Sequence, residues 1–369
     1  MIYLDNAATS FLKPPGVSRA VYRAMLEASS PGRGAYRSAM RAADIVYACR
    51  EEAASFFHVE DPSAVVFTAN ATHALNIAIH SLVAPGDVVL ISGFEHNAVT
   101  RPLRAFGARI ETAGKKLFDP EDTLKEFREK IHGKKLVVCT HVSNVFGYVL
   151  PIESIAALCR QEKVPLVIDA SQSAGAIELN AGELGASFIA MPGHKSLFGP
   201  QGTGLLLCGE RGKPLLHGGA GFDSGRPFMP EELPERLEAG TMNVPGIAGL
   251  LEGIRYVRGI GTESIAAQEN AMIHELTEKL QGIRGIRLYT ENGAHQSGIL
   301  SFGMGDTDSE EISEALSRQG IAVRGGLHCA PLAHESAGTR KTGTVRVSVS
   351  PFVSENDIDA LVRAVETCF

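Results

Sequence analysis

No segment of the 369-residue chain stays apolar for the roughly 20 residues that span a bilayer, so no membrane association is expected. The first residues, MIYLDNAATSFLKPPG, lack the basic segment, apolar stretch and small-residue cleavage site of a secretory leader. A cytoplasmic protein is the expectation. Long runs of one charge are missing, and the formal net charge of -7 argues against a general polyanion-binding surface, so nucleic acid is not an expected partner. The six cysteines, Cys49, Cys139, Cys159, Cys208, Cys329 and Cys368, are scattered and include no CxxC pair. That spacing favours reduced thiols, most of them core fillers, over a disulfide framework or a metal site. Internal repeats and low-complexity linkers are absent too.

What is present is the composition of an ordinary globular protein, with 44% hydrophobic and 21% charged residues. Domains commonly hold roughly 50 to 250 residues, so this length predicts two. Over the first two thirds, SAVVFT, GDVVLIS, KKLVVCTHV, VPLVIDA, ASFIAM and GLLLC read as buried strands, while ATHALNIAIHSL and IESIAALCRQEK carry apolar residues at helical spacing. Such alternation predicts an α/β fold with a mostly parallel sheet covered on both faces. Residues 244–283 read as helix with a break near 259–262. GIRLYT, GILSFGM, SEEISEALSRQG, IAVRGG, TVRVSVS and SENDIDALVRAVE then predict strand, strand, helix, strand, strand, helix. We expect a large unit over 16–250, a smaller α+β unit over 251–369, and an N-terminal segment, 1–15, packing near the active site. The proline-rich stretch 225–240 reads as a long ordered or lid-like loop.

Chemistry enters at VIDASQ, where an apolar run ends on an acid. Asp169 is expected at the carboxyl end of a strand, where ligands of such sheets collect. A carboxylate there is costly unless it faces a cation or caps a turn. One predicted strand further on, Lys195 stands in MPGHKSLFGPQGTG, a run too rich in glycine and proline for a long helix. An amine in a partly desolvated turn can condense with a carbonyl. Lysine and carboxylate in one pocket suit pyridoxal phosphate, the lysine holding the aldehyde and the carboxylate keeping the ring nitrogen protonated. Thr72, near the start of the helix after AVVFT, is placed where free N–H groups favour a phosphate. His194 could donate to the same group. Taken singly these are ordinary caps and loop residues; together they point to the cofactor.

The motifs DNAAT (5–9), FEHNAV around His96, HVSNVFG around Asn144, DASQ (169–172), GHK (193–195), EAGT (238–241) and HCAP (328–331) occur in the order found in class V aminotransferase-like enzymes. Along its whole length the chain resembles that family, and most resembles its cysteine desulfurase and selenocysteine lyase branch. The resemblance implies the pyridoxal-phosphate fold type I of aspartate aminotransferase-like proteins, with a large seven-stranded sheet domain and a smaller α+β domain. By the same resemblance Lys195 is the Schiff-base lysine, Asp169 the partner of the pyridine nitrogen, Gln172 the donor to the phenolic oxygen and His96 the ring stacked on the cofactor. Thr72 and His194 match phosphate contacts, and Thr241 matches one supplied by a second subunit, which implies a homodimer. Arg346 and Asn144 match the residues that grip the α-carboxylate of an amino-acid substrate. Cys329 aligns with the catalytic cysteine, whose thiolate takes sulfur from L-cysteine, leaves L-alanine and passes the sulfur to a protein acceptor.

Three features keep other outcomes open. Pro192 stands where many relatives have a phosphate-binding serine and offers neither hydroxyl nor N–H. The turn reads GLHCA where one branch has GHHCA. Selenocysteine lyase, transamination, racemisation and β-elimination use the same cofactor, and a non-catalytic scaffold is the reading from another class.

Overall fold

The computed structural model describes residues 1–32, 34–221 and 224–368. β1 (Ile2–Tyr3), α1 (Pro15–Glu27) and α2 (Arg37–Phe56) precede an alternating run: β2 (Val65–Thr68), α3 (Ala71–Leu82), β3 (Val88–Ser92), α4 (Asn97–Ala105), β4 (Arg109–Ala113), α5 (Pro120–Lys130) and β5 (Leu136–Thr140). α6 (Ile152–Glu162), β6 (Leu166–Asp169), α7 (Ala181–Leu184), β7 (Phe188–Pro192) and β8 (Gly204–Cys208) complete it. α8 (Val244–Ile260) and α9 (Thr262–Gln281) then lead to β9 (Ile286–Tyr289), β10 (Ile299–Met304), α10 (Ser309–Arg318), β11 (Ile321–Ala322), α11 (Pro331–Ala337), β12 (Val345–Ser348) and α12 (Glu355–Cys368).

The large sheet has seven strands in the order β2-β8-β7-β6-β5-β3-β4, parallel except for β8, which runs against both neighbours. Its central strands are buried along their whole length, and the side-chain period of two splits them between two cores. Val137, Cys139, Leu166 and Ile168 join the cluster that includes residues of α2, α6 and α8. Leu136, Val138 and Val167 join the opposite cluster, with residues of α3 and α4. Burial on both faces is why these strands read as continuous apolar runs. A third cluster, under α9, α10 and α12, contains Leu300, Phe302, Val345 and Val347 from an antiparallel sheet ordered β12-β10-β9.

Two details depart from the expected pattern. β11 joins no other strand of the smaller sheet; it pairs in parallel with β1, Ile2 opposite Ile321. Leu4 is fully buried in the same small core, so burial of the N-terminal apolar residues accounts for the pairing. A short helix, α11, also interrupts the expected strand pair. Within 225–240 there is no helix or strand, and its end is tied down: Arg236 Nε donates to the Gly212 carbonyl at 2.8 Å, and Glu238 pairs with Arg50 at 2.9 Å.

All four parallel strands at the sheet centre end on one edge, and β2 points the same way because β8 opposes both β2 and β7. The turn after β7 is held against α8, where Gly253 lets the two backbones meet. A methyl there would overlap the Leu197 carbonyl and lie 3.0 Å from Gly199 N. Gly253→Ala is expected to cost about 1–3 kcal/mol of stability, because backbone must shift to admit it. A urea titration of purified protein checks this, and an unchanged midpoint would mean that α8 yields without strain.

Candidate active site

The shared strand edge gathers the chemistry. His96 follows β3, Asn144 follows β5, Asp169 ends β6, Lys195 follows β7, and Thr72 stands in the first turn of α3 after β2. These five, with Gln172, Pro192 and His194, line one cleft of about 510 Å³. Thr72 is where helix N–H groups are unpaired, since α3 is capped by Asn70, whose side chain accepts from His73 N.

Asp169 is 3% exposed, and only one of its oxygens is occupied: Oδ1 accepts from Ser171 N at 3.0 Å and from the Ser171 hydroxyl. Oδ2 has no partner among the described residues and remains for a cationic ligand atom. Burial pushes the Lys195 amine down to about 8, against the pull of Asp169, so its neutral form is accessible near physiological pH. Burial also keeps His96 below the ordinary imidazole range and His194 down at about 4. His96 Nδ1 accepts from Ala98 N at 3.0 Å, which fixes a ring bearing its proton on Nε2. His194 meets Thr9 Oγ1 through Nδ1 at 3.0 Å, leaving Nε2 for a ligand. Gln172 donates to the Ala7 carbonyl at 3.1 Å and retains a second amide hydrogen.

Pyridoxal phosphate fits this donor set. A free carboxylate oxygen, a desolvated amine, a neutral imidazole and a helix N-terminus occupy one cleft, and each answers a different part of that molecule. Pro192 contributes wall but no donor.

Cys329 is the one exposed thiol of the six. Burial raises Cys49 and Cys139, and pushes Cys159 up to about 12, so these have little thiolate to offer. Cys329 lies in a vestibule of about 660 Å³ beside Arg101, and this vestibule shares Thr72, His96 and Ala98 with the cleft. His328 and Cys329 both adopt left-handed backbone, φ 48° and 55°, which costs about 1–2 kcal/mol per residue outside glycine. Cross-links hold it: Asn97 N donates to the Cys329 carbonyl at 2.7 Å, Asn144 Nδ2 to the His328 carbonyl at 2.8 Å, and His328 Nε2 to the Thr344 carbonyl at 3.0 Å.

Two expected residues stand apart. Thr241 does not line the cleft of its own chain; it borders a separate hollow with His73 and Asn243. Arg346, 3% exposed, lies behind the cleft wall: Nη1 donates to the Asn144 carbonyl at 2.9 Å, Nη2 to Asp5 Oδ1 at 2.8 Å, and Nε is buried without a partner. Asp5 also receives Arg324 through Oδ2 at 2.9 Å. Sequence reasoning gave Asp5 no role, although DNAAT displayed it. It likewise missed Ser171 and the Arg50–Glu238 pair, in which both side chains are under a tenth exposed.

The profile of the aminotransferase class-V family matches residues 2–361. A probable cysteine desulfurase of Methanothermobacter thermautotrophicus is 33% identical over 390 residues, covering 99% of this chain and 94% of that protein. One from Mycolicibacterium paratuberculosis is 33% identical over 385 residues; the match again takes in 99% of this chain but spans only 55% of that relative. Among solved structures, the apo cysteine desulfurase of Thermococcus onnurineus NA1 superposes with a TM-score of 0.92 at 31% identity, covering 100% of this chain and 94% of that one. The cysteine desulfurase CsdA of Escherichia coli gives 0.86 at 25% identity, with 99% and 94% covered.

The Asp5–Arg346 pair supplies a test of the site's frame. Asp5→Ala leaves a buried guanidinium without its counter-charge, and removing one member of such a pair costs about 3–5 kcal/mol. Thermal melts of the variant should show that loss; stability equal to the parent would mean that Arg346 is satisfied without Asp5.

Proposed function

The chain belongs to the class-V aminotransferase family, and on that premise we propose that it is a pyridoxal-phosphate-dependent cysteine desulfurase, converting L-cysteine to L-alanine with persulfide sulfur left on Cys329. The observation that carries this reading is the vestibule: the one exposed thiol lies in a hollow that shares Thr72, His96 and Ala98 with the cleft that holds Lys195 and Asp169.

Lys195 would hold the cofactor, with Asp169 on the side of its ring nitrogen, Gln172 on that of its phenolic oxygen and His96 beside the ring. Thr72 and His194 would border its phosphate. Once bound, the cofactor supplies an aldehyde for the substrate amine and a protonated ring that draws electrons from Cα. The neutral Lys195 amine then takes the Cα proton and later returns one, a role suited to a lysine poised near the working pH. Arg346 and Asn144 orient the α-carboxylate. Arg346 must offer Nε or its remaining hydrogens, since Asp5 and the Asn144 carbonyl already engage its terminal nitrogens. Sγ of Cys329 attacks the substrate sulfur. The Cβ–S bond breaks, an S–S bond forms on the enzyme, and Cβ gains the hydrogen that replaces sulfur. Cysteine plus enzyme thiol therefore becomes alanine plus enzyme persulfide, with no external oxidant or reductant.

Thr241 completes the phosphate site from a second subunit in this reading. Its position outside its own cleft supports a homodimer, as do the exposed apolar side chains Tyr22, Met25, Leu26, Met40 and Tyr47 on α1 and α2. Residues 16–250 then form the cofactor domain, 251–369 the small domain, and 1–15 the segment that closes the site. The persulfide passes to a protein acceptor at the exposed Cys329 turn, in the cytoplasm. Among the described residues no helix is long and apolar enough to cross a membrane.

Alanine release from L-cysteine by the cofactor-loaded protein tests the reading. Cys329→Ala is expected to lower it by about 100-fold or more, the scale on which losing a required nucleophile is felt. Pyruvate and ammonia in place of alanine would establish elimination, and alanine only from L-selenocysteine would establish the lyase. Lys195→Ala should abolish both turnover and the cofactor's visible absorption; retained turnover would remove Lys195 from its assigned role.

A further inference from the structure

The cleft has a neighbour that this reaction does not use. A cavity lies between the N-terminal segment, the turn after β7 and α9, and it shares Gln172 and Lys195 with the cofactor cleft. On its wall stands Glu269 of α9, 6% exposed, whose carboxyl has no hydrogen-bond or ion-pair partner among the described residues. Other buried carboxylates are anchored: Asp5 by two arginines, Glu95 by Ser92 and the Thr140 N–H, Asp169 by Ser171, and Glu238 by Arg50. Burial pushes Glu269 up to about 8, and nothing nearby offsets that cost.

The surroundings accommodate the carboxyl without pairing it. Gly298 faces Oε2, where a methyl would overlap it. Asn270, the next residue of α9, also lines the cavity, and its amide makes no hydrogen bond among the described residues. Ser297, another wall residue, buries a hydroxyl without a partner. Ile177, Phe198 and Val349 make part of the lining apolar. Among the described residues, the only other charged side chain on the wall is Lys195, which the cofactor would claim. No cation is therefore left for a ligand's carboxylate or phosphate, while an unpaired carboxyl, held largely neutral by burial, remains to ionise against a ligand's cation.

We propose that this cavity binds a small organic ammonium ion bearing a hydroxyl group, with its N–H donated to Glu269 and its hydroxyl paired with Asn270. Such a ligand rests against the side chains that hold the cofactor, so its occupancy bears on the active site whichever sulfur or selenium substrate is used.

The test is calorimetric titration of the holoenzyme with N,N-dimethylethanolamine, a tertiary amine that cannot condense with the cofactor aldehyde. Saturable one-site binding is expected. A charge-assisted hydrogen bond is worth enough that Glu269→Gln, which keeps the shape, should weaken binding by about tenfold or more. The uncharged isostere 3-methylbutan-1-ol should bind the parent weaker by a similar factor. Ala266→Leu, which fills the cavity one turn before Glu269 without touching a polar group, should remove binding. Circular dichroism confirms that both variants fold. Absence of saturable heat with the parent, or equal affinity for Glu269→Gln or for the isostere, overturns the proposal; because no turnover is read, these outcomes are separate from failure of the desulfurase reading.

Discussion

One carbonyl oxygen, that of His194, fixes where the reactive amine stands. It accepts from Ser10 N at 3.1 Å, Ser10 Oγ at 3.0 Å, Thr9 Oγ1 at 3.2 Å and Lys13 Nζ at 3.1 Å, all from the N-terminal segment. The turn after β7 is too irregular to satisfy its own backbone, and an unpaired buried carbonyl is expensive. The segment 9–13 supplies what the turn lacks, and Lys195 is the next residue along. Its amine is thus positioned from outside its own strand. Lys13 itself is drawn down to about 8 by the burial this role requires.

The same segment ties the small unit to the large one. Tyr3 and Leu4 belong to the small unit, through the β1–β11 pairing and its core, while Ala7 receives Gln172 of the large unit and donates to Ser348 at the end of β12. Asp5 sits between these contacts and holds both Arg324 and Arg346. A carboxylate buried between two guanidinium groups is favourable only while that geometry persists. The segment's charge and its backbone therefore impose one relation: Arg346 comes to the Asn144 turn, and that turn reaches the loop of Cys329. The left-handed backbone at His328 and Cys329 is kept in place by donors from Asn97, at the start of α4, and Asn144, on the loop after β5.

What the sequence made legible was local. Leu136, Val137 and Val138 read as a strand because both sheet faces are covered, and Asp169 and Lys195 read as site residues because each interrupts such a pattern at its end. β4 escaped notice because RIETA lies at the sheet edge, where Arg109 and Glu111 are exposed and the apolar run is broken. IAVRGG read correctly as a strand, but its partner, β1, lies more than three hundred residues away and is only two residues long, which leaves no period to detect. Arg50 and Glu238 lie 188 residues apart, and nothing in EAGT shows that its acid meets an arginine on α2 and the Phe67 backbone N–H. Pro192 looked like a missing donor. Its place at the end of β7 explains why the fold accepts it, since a strand terminus can forgo an N–H that a central position cannot. The chemistry of the site was legible as a set of residue types, while the contacts that orient them were not.

The two cavities make this orientation a shared property. Gln172 and Lys195 face both, and the segment that anchors the Lys195 backbone also lends Asn6, Ala7 and Ser10 to the second cavity's wall. A ligand that tightens this segment around His194 lowers the cost of ordering the cofactor's lysine, and the bound cofactor repays the ligand by the same free energy. Such coupling needs no large motion, because the segment already bonds to both units. Glu269, on α9, lines the same cavity as Lys195 and the N-terminal segment, so a partner for its carboxyl would bear on the place where these elements meet.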